Sequence, residues 1–95
     1  MPSWFGEGNK MTIFKEISAE EKEVRSYVAN KIYARRRKLR LTQAELANLA
    51  GVSAPLIVHL ENSNLNLRLD TLVRIAKYLN MECKLDFKEL QHDNK

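Results

Sequence analysis

Many features that mark secreted, membrane or metal-binding proteins are scarce in these 95 residues. The single cysteine, Cys83, cannot form an internal disulfide, and neither histidine lies at metal-ligand spacing from it. No apolar run approaches the roughly 18 residues needed to cross a membrane. The chain also starts without the pattern of a signal peptide. We therefore expect a cytoplasmic protein with no metal site and no cofactor.

The ionisable residues show no recognisable catalytic group. Glu61, His59 and Cys83 could take part in chemistry, but no nucleophile and base lie at an interpretable spacing. A chain of this length forms one domain at most, with a core too small to enclose a large active site. The sequence therefore does not predict an enzyme.

Positive charge is concentrated in one place. The formal charge is +4, and five cations fall within six residues, Arg35, Arg36, Arg37, Lys38 and Arg40. One interpretation is a solvated helix end, because cations are favourable near a helix C-terminus. The other is contact with nucleic-acid phosphates. The segment that follows the cluster favours the second interpretation.

A short helix is predicted directly after the cluster. Thr42 and Glu45 have the spacing of a capping box, so the helix should begin at Gln43. Gly51 should end it, because glycine adopts a positive φ without strain. The residues expected on its inward face are Leu46, Ala47 and Ala50.

A second short helix should follow within a few residues. Ser53 can cap it, and Pro55 is tolerated in its first turn because the amide that proline lacks would have no helical partner there. Ile57 and Leu60 give this helix an inward face. Two helices joined by a tight turn with glycine form a helix-turn-helix unit, here at about residues 42–61, whose second helix can enter the major groove of DNA.

The order and spacing of these motifs resemble a known family. The segment TQAELANLAGVS, then Ile57, Leu60 and Glu61, then LDTLVRIAKYL, resembles the Xre family of helix-turn-helix proteins, which includes the phage lambda and Cro-type repressors. The resemblance covers residues 32–85 and implies a mainly α fold, a lambda repressor-like bundle of about five helices. The segment RLDTLVRIAKYLNMECKLDF is most similar to antitoxins of the HigA and HipB kind.

The rest of the helical domain, residues 18–80, contains two further predicted helices. Ser18 and Glu21 form a second capping box, so a helix should run from Ala19 to about Leu39. A later helix should cover Asp70 to Leu79, and Asn80 is suited to a left-handed end. The residues expected to be buried are Val24, Val28, Ile32 and Leu39 in the first helix, and Leu72, Val73, Ile75, Ala76 and Leu79 in the later one.

The two ends of the chain differ from this helical part. Residues 1–17 are predicted to be a flexible or strand-forming extension. Residues 81–88 alternate between apolar and charged side chains, which predicts a C-terminal β-strand with Met81, Cys83, Leu85 and Phe87 on one face. A lone strand needs a partner, either the β-prone segment 12–17 or the same strand of a second subunit, so a dimer contact is expected. Residues 89–95 should form a tail.

The resemblance also implies which residues contact DNA. Arg36 and Glu61 should form a structural pair that braces the second helix of the unit. The residues expected at base edges are Ala54, Pro55, Leu56, Val58 and His59. The family's phosphate contacts correspond to Gln43, Asn62, Asn64 and Arg68. Arg35 and Arg37 are expected at phosphates for another reason, because they belong to the basic cluster and point away from Arg36 on the helix.

These features predict a homodimeric transcriptional repressor that binds a palindromic double-stranded DNA operator. Its small size and C-terminal strand suggest the autoregulating antitoxin of a type II toxin-antitoxin pair, with a cognate toxin as partner and residues 11–27 as the toxin-binding part. A second hypothesis stays open, because Leu56 and Val58 are apolar residues on the recognition helix. The same fold could be a protein-interaction module whose apolar helix face binds a protein instead of DNA.

Overall fold

The computed structural model describes residues 18–64 and 66–90, and this part of the chain folds into four helices. They are α1 (Ala19–Lys38), α2 (Gln43–Ala50), α3 (Ala54–Glu61) and α4 (Leu69–Tyr78). The prediction of a mainly helical bundle is confirmed. No described helix has the length and apolar character needed to span a membrane. The predicted N-terminal extension and the last five residues of the predicted tail lie outside the described residues.

The predicted count of about five helices is wrong for the described residues. Residues 81–90 follow α4 without regular secondary structure and form no fifth helix. Their apolar residues recur with a period of two, which suits extended backbone and gives a helix no continuous apolar face.

Side-chain caps define where the first three helices begin. Ser18 and Glu21 form a capping box at α1, and Thr42 and Glu45 form one at α2, each with both reciprocal hydrogen bonds. Ser53 caps α3 by accepting a hydrogen bond from a backbone amide of the first turn. These three predictions are confirmed, because each depends only on residues within one turn of each other.

All four helices are followed by a residue with left-handed backbone conformation. The φ angles are 61° at Arg40, 72° at Gly51, 65° at Ser63 and 59° at Asn80. The predictions for Gly51 and Asn80 are confirmed. Glycine takes this conformation without a steric penalty and asparagine takes it more readily than most residues, whereas arginine is unusual there.

The same pair of backbone hydrogen bonds closes each helix. After α1, the Arg40 amide donates to the carbonyl of Arg37 at 3.0 Å, and the Leu41 amide donates to the carbonyl of Arg36 at 3.1 Å. This is the Schellman arrangement, which is often accompanied by an apolar contact from the residue after the left-handed one. Leu41 after α1, Val52 after α2 and Met81 after α4 each pack against the core in this way.

One apolar core joins the four helices, and α3 packs against both α1 and α2. Within α1, Ile32 is buried as predicted, and Ala29 is buried although it was not predicted to be. Val24 and Leu39 were expected in the core but are 62% and 38% exposed. The core cluster consists of Ile32, Leu46, Ala47, Ala50, Ile57, Leu60, Ile75 and Leu79.

These two errors in α1 have a geometric cause. The other three helices have 8 to 10 residues, whereas α1 has 20, so they cover only part of its length. Val24 lies in the uncovered first half, and Leu39 follows the last residue of the helix. In α4, Val73 is also 52% exposed, because the buried row follows the helical repeat through Leu72, Ile75, Ala76 and Leu79.

The predicted C-terminal strand is not formed in the described single chain. Residues 81–90 have no regular secondary structure, and no described segment pairs with them. Met81 and Cys83 are half-buried, whereas Leu85 is 58% and Phe87 is 87% exposed. An extended segment becomes a strand only when a second one satisfies its backbone groups. The alternating pattern of the sequence could not supply that second segment.

Candidate nucleic-acid interface

A buried ion pair holds the end of α3 against α1. The Arg36 guanidinium donates to both carboxylate oxygens of Glu61, from Nε at 2.7 Å and from Nη2 at 2.9 Å. Its Nη1 donates to the backbone carbonyl of Leu41 at 2.7 Å. The two side chains are only 8% and 4% exposed. The structure thus brings together the two residues that the resemblance implies are paired, in the bidentate geometry that guanidinium and carboxylate groups favour.

The surroundings of Arg36 keep it charged. Its hydrogen bond to Glu61 raises the pKa of Arg36 above its ordinary value, against the opposing effect of burial. Because this pKa is raised, the contribution of Arg36 to the stability of the fold is complete at pH values below the ordinary pKa of arginine. It is lost only at pH values above it. Ionisation of Arg36 therefore causes no change in stability with pH between acid and moderately alkaline conditions.

Gln43 joins the same network from the start of α2. Its Nε2 donates to Oε1 of Glu61 at 3.0 Å, so a single carboxylate connects α1, α2 and α3. The primary amide has a second hydrogen and an acceptor oxygen. A phosphate contact by Gln43 is compatible with this bond, although the bond also gives the residue a structural role.

A cationic concavity lies beside this network, where α1 turns into α2. The Arg37 side chain is exposed there, and its Cζ lies 5.7 Å from the ring centre of Tyr33, at cation–π distance. Arg36 approaches the same ring at 5.4 Å. Arg37 is therefore accessible but held in place on an aromatic ring. The residues that line the concavity are Arg36, Arg37, Arg40, Leu41, Thr42 and Gln43.

Arg35 lies apart from this concavity. Its Nε donates to the backbone carbonyl of Leu79 at 2.8 Å, just past the end of α4, and the residue is half-buried. The sequence predicted a phosphate contact here, whereas the structure shows a link between α1 and α4. No local pattern could have revealed it, because the two residues are 44 positions apart.

The outer surface of α3 is less apolar than the sequence suggested. Leu56 and Val58 were expected to be exposed, but both are half-buried, and Leu56 packs against the core. Ala54 also packs there, which leaves Pro55 and His59 as the exposed members of the predicted base-contact set. Leu56 and Val58 therefore offer less apolar surface to a protein partner than fully exposed side chains would.

Polar side chains follow α3 directly. Asn62, Asn64 and Arg68 are exposed, as phosphate contacts require. Nη2 of Arg68 lies 3.8 Å from Oδ2 of Asp70, and both side chains are at least 78% exposed. An ion pair this long and this exposed contributes little, so Arg68 keeps its freedom to contact another anion.

The comparisons with known proteins agree with this geometry. A family model described as helix-turn-helix, of the Xre type, matches residues 32–85, more than half of the chain, and the chain belongs to that family. Among solved structures, the chain is similar to a toxin-antitoxin module from Streptococcus pneumoniae, with 23% identity and a TM-score of 0.62 over 88% of this chain and 96% of that chain. This second likeness supports the fold. None of the curated proteins matches the chain.

Proposed function

We propose that this protein is a sequence-specific DNA-binding transcriptional repressor. The observation that carries the proposal is the buried network of Arg36, Glu61 and Gln43, which fixes α3 against α1 and α2. Groups that bind a ligand need such rigid support, because a helix that moves relative to the rest of the domain cannot keep its hydrogen bonds to base edges. The network leaves the outer surface of α3 in solvent, with Pro55 and His59 exposed.

In this proposal α3 enters the major groove of the DNA. His59 is the exposed hydrogen-bonding side chain of α3 and contacts base edges. Ala54 and Pro55, with Leu56 and Val58 at the flanks, offer only apolar contacts, for example to a thymine methyl group. Direct readout is therefore sparse, and part of the specificity comes from the shape and deformability of the DNA.

Phosphate contacts position α3 on the duplex. Arg37 and Gln43 lie on one side of the Arg36–Glu61 pair, in and beside the cationic concavity, while Asn62 immediately follows Glu61 in the chain. Asn64 and Arg68 extend the polar surface beyond it. Arg35 is left out of this set because its guanidinium is held at the end of α4.

A homodimer would present two such surfaces to successive major grooves, about one helical turn apart, so the operator should be palindromic. Residues 81–88 support this assembly, because they alternate in polarity, pair with no described segment and expose Leu85 and Phe87. A second copy of the same segment would satisfy the backbone groups and cover these side chains.

We further propose that the protein is the antitoxin of a type II toxin-antitoxin pair that represses its own operon, similar to the HigA and HipB kind. The similar fold of the toxin-antitoxin module supports this assignment. So does the first half of α1, which precedes the part matched by the family. There Val24 and Tyr27 are 62% and 63% exposed, and a partner protein would bury them.

The test of DNA binding is a titration of the purified protein with DNA from upstream of its own gene and with a scrambled duplex, at low and moderate salt. We expect specific binding that weakens steeply with salt. His59→Ala should reduce the preference for the operator, and Arg37→Ala should weaken binding to all sequences and lower the salt slope by about one. Lys31→Ala removes an exposed charge from a groove lined by α1, α4 and the C-terminal segment. It should change neither the preference for the operator nor the salt slope.

Equal affinity for the two duplexes would contradict the repressor proposal. Binding that does not weaken with salt would do so as well, because it would indicate an apolar contact.

A further inference from the structure

Arg40 has a backbone conformation that its side chain does not favour. It follows α1 with a φ of 61°, in the position of the Schellman motif that glycine usually occupies. The same chain places Gly51 after α2 and Asn80 after α4, which adopt this conformation more readily, and only Ser63 after α3 shares the disadvantage of Arg40. The β-carbon of arginine makes the left-handed conformation unfavourable. Residues held in unfavourable backbone conformations are often found at functional sites.

The fold makes no use of the Arg40 guanidinium. Within the described residues it forms no hydrogen bond and no ion pair, and the residue is exposed. Its neighbours differ, since Arg36 is bound to Glu61 and Arg35 to the carbonyl of Leu79. The left-handed backbone at Arg40 closes α1, but the fold gives the arginine side chain no partner among the described residues.

The position of Arg40 indicates an anionic ligand. Its side chain lines the cationic concavity together with Arg37, Thr42 and Gln43. Two exposed arginines on one concave surface give it a positive potential, which favours binding of an anion there. Gln43, which closes the concavity, is bonded to Glu61 at the end of α3. An anion bound here would lie next to the helix that enters the groove.

We propose that Arg40 binds a DNA backbone phosphate, in the concavity that it shares with Arg37. The inference rests on the proposed function and adds a contact to it. Because the contact is to phosphate, it contributes affinity and orientation for every sequence and does not distinguish bases.

The test combines substitutions at Arg40 with two matched controls, measured as binding to operator DNA over a range of salt concentrations. Arg40→Gly and Arg40→Gln should both lower the slope of log K against log salt by about 0.9. Arg40→Lys keeps the charge and should keep the slope. Lys31→Ala, the control for net charge, should leave it unchanged.

Thermal unfolding separates this role from a structural one. Arg40→Gly removes the unfavourable conformation, so its melting temperature should be no lower than that of the wild type even though its DNA binding is weaker. Asn80→Gly changes the corresponding position after α4 and should leave the salt slope unaltered. If Arg40→Gly binds DNA more weakly but is no less stable than the wild type, loss of folding cannot explain the weaker binding.

Two results would overturn the inference, and they differ in what else they imply. Specific, salt-dependent binding with the same slope for wild type, Arg40→Gly and Arg40→Gln would refute the Arg40 contact and leave the repressor proposal intact. Absence of salt-dependent binding by the wild type would refute both.

Discussion

The two halves of α1 meet different surroundings. In the second half, Ala29, Ile32 and Arg36 are buried, and the helix is joined to α3 through Glu61. In the first half, Val24 and Tyr27 stay mostly in solvent. The charge also changes along the helix, from acidic residues in the first turn to basic residues in the last. The helix dipole favours that distribution whatever the function, so burial is the more informative difference.

The family match divides α1 in nearly the same place, because it begins at Ile32. The second half therefore belongs to the structure that supports the helix-turn-helix unit, and the first half is an addition to it. In the proposed function, one helix serves two surfaces. Substitutions in its second half should affect stability and DNA binding, whereas those in its first half should affect only contacts with a partner.

The largest effect is expected from breaking the buried ion pair. Arg36→Met leaves the Glu61 carboxylate buried without its cation and the Leu41 carbonyl without a donor, so the free energy of unfolding should fall by about 3–5 kcal/mol. Urea unfolding would measure it. Arg37→Met, one position along and exposed, is the control and should change the value by no more than about 0.5 kcal/mol. Equal effects of the two substitutions would contradict the structural role of the pair.

The double variant Arg36→Met with Glu61→Leu sharpens this test. Replacing both members of a buried pair by apolar residues is often close to neutral, so much of the lost stability should return. A loss equal to the sum of two severe single losses would show that Arg36 and Glu61 act independently.

A second comparison uses one apolar residue from each half of α1. Ile32→Ala removes a fully buried side chain and should cost about 2–5 kcal/mol of unfolding free energy. Val24→Ala, in the exposed first half, should cost no more than about 0.5 kcal/mol, because alanine also has the higher helix propensity. The same unfolding measurement covers both. A large loss in Val24→Ala would show that the first half is packed.

The smallest effect on stability is expected at Tyr27. Its ring is 63% exposed and lies at cation–π distance from Lys31, so Tyr27→Ser should change the unfolding free energy by about 0.5 kcal/mol or less. Operator affinity should also stay the same. In the proposed function, binding to a cognate toxin should weaken, which calorimetric titration would measure. Unchanged toxin binding would remove the first half of α1 as the partner surface.

Local patterns predicted much of this fold. The capping residues Ser18, Thr42 and Ser53 and the left-handed Gly51 and Asn80 each act within a few residues, so the sequence contains the whole signal. Within the candidate site, the resemblance to the Xre family implied that Arg36 and Glu61 are paired, and spacing alone could not have done so.

The remaining features depend on segments far apart in the chain or on a second molecule. The bond from Arg35 to the Leu79 carbonyl joins positions that share no pattern, and the exposure of Val24 follows from how far the shorter helices reach along α1. The alternation in residues 81–88 favours an extended backbone, but it does not say what pairs with it. Arg40 gave no sequence signal beyond its charge, because its left-handed backbone is known only from the structure.

The most direct measurement of the central claim is an NMR titration of the labelled protein with its upstream operator duplex, which reports each backbone amide separately. The account predicts that the shift changes concentrate in the turn between α1 and α2, in α3 and in residues 62–68, and that Val24, Tyr27 and their neighbours in the first half of α1 change little. Changes centred on the first half of α1, with none in α3, would contradict the account and assign the DNA, or whatever the protein binds, to the opposite half of the helix.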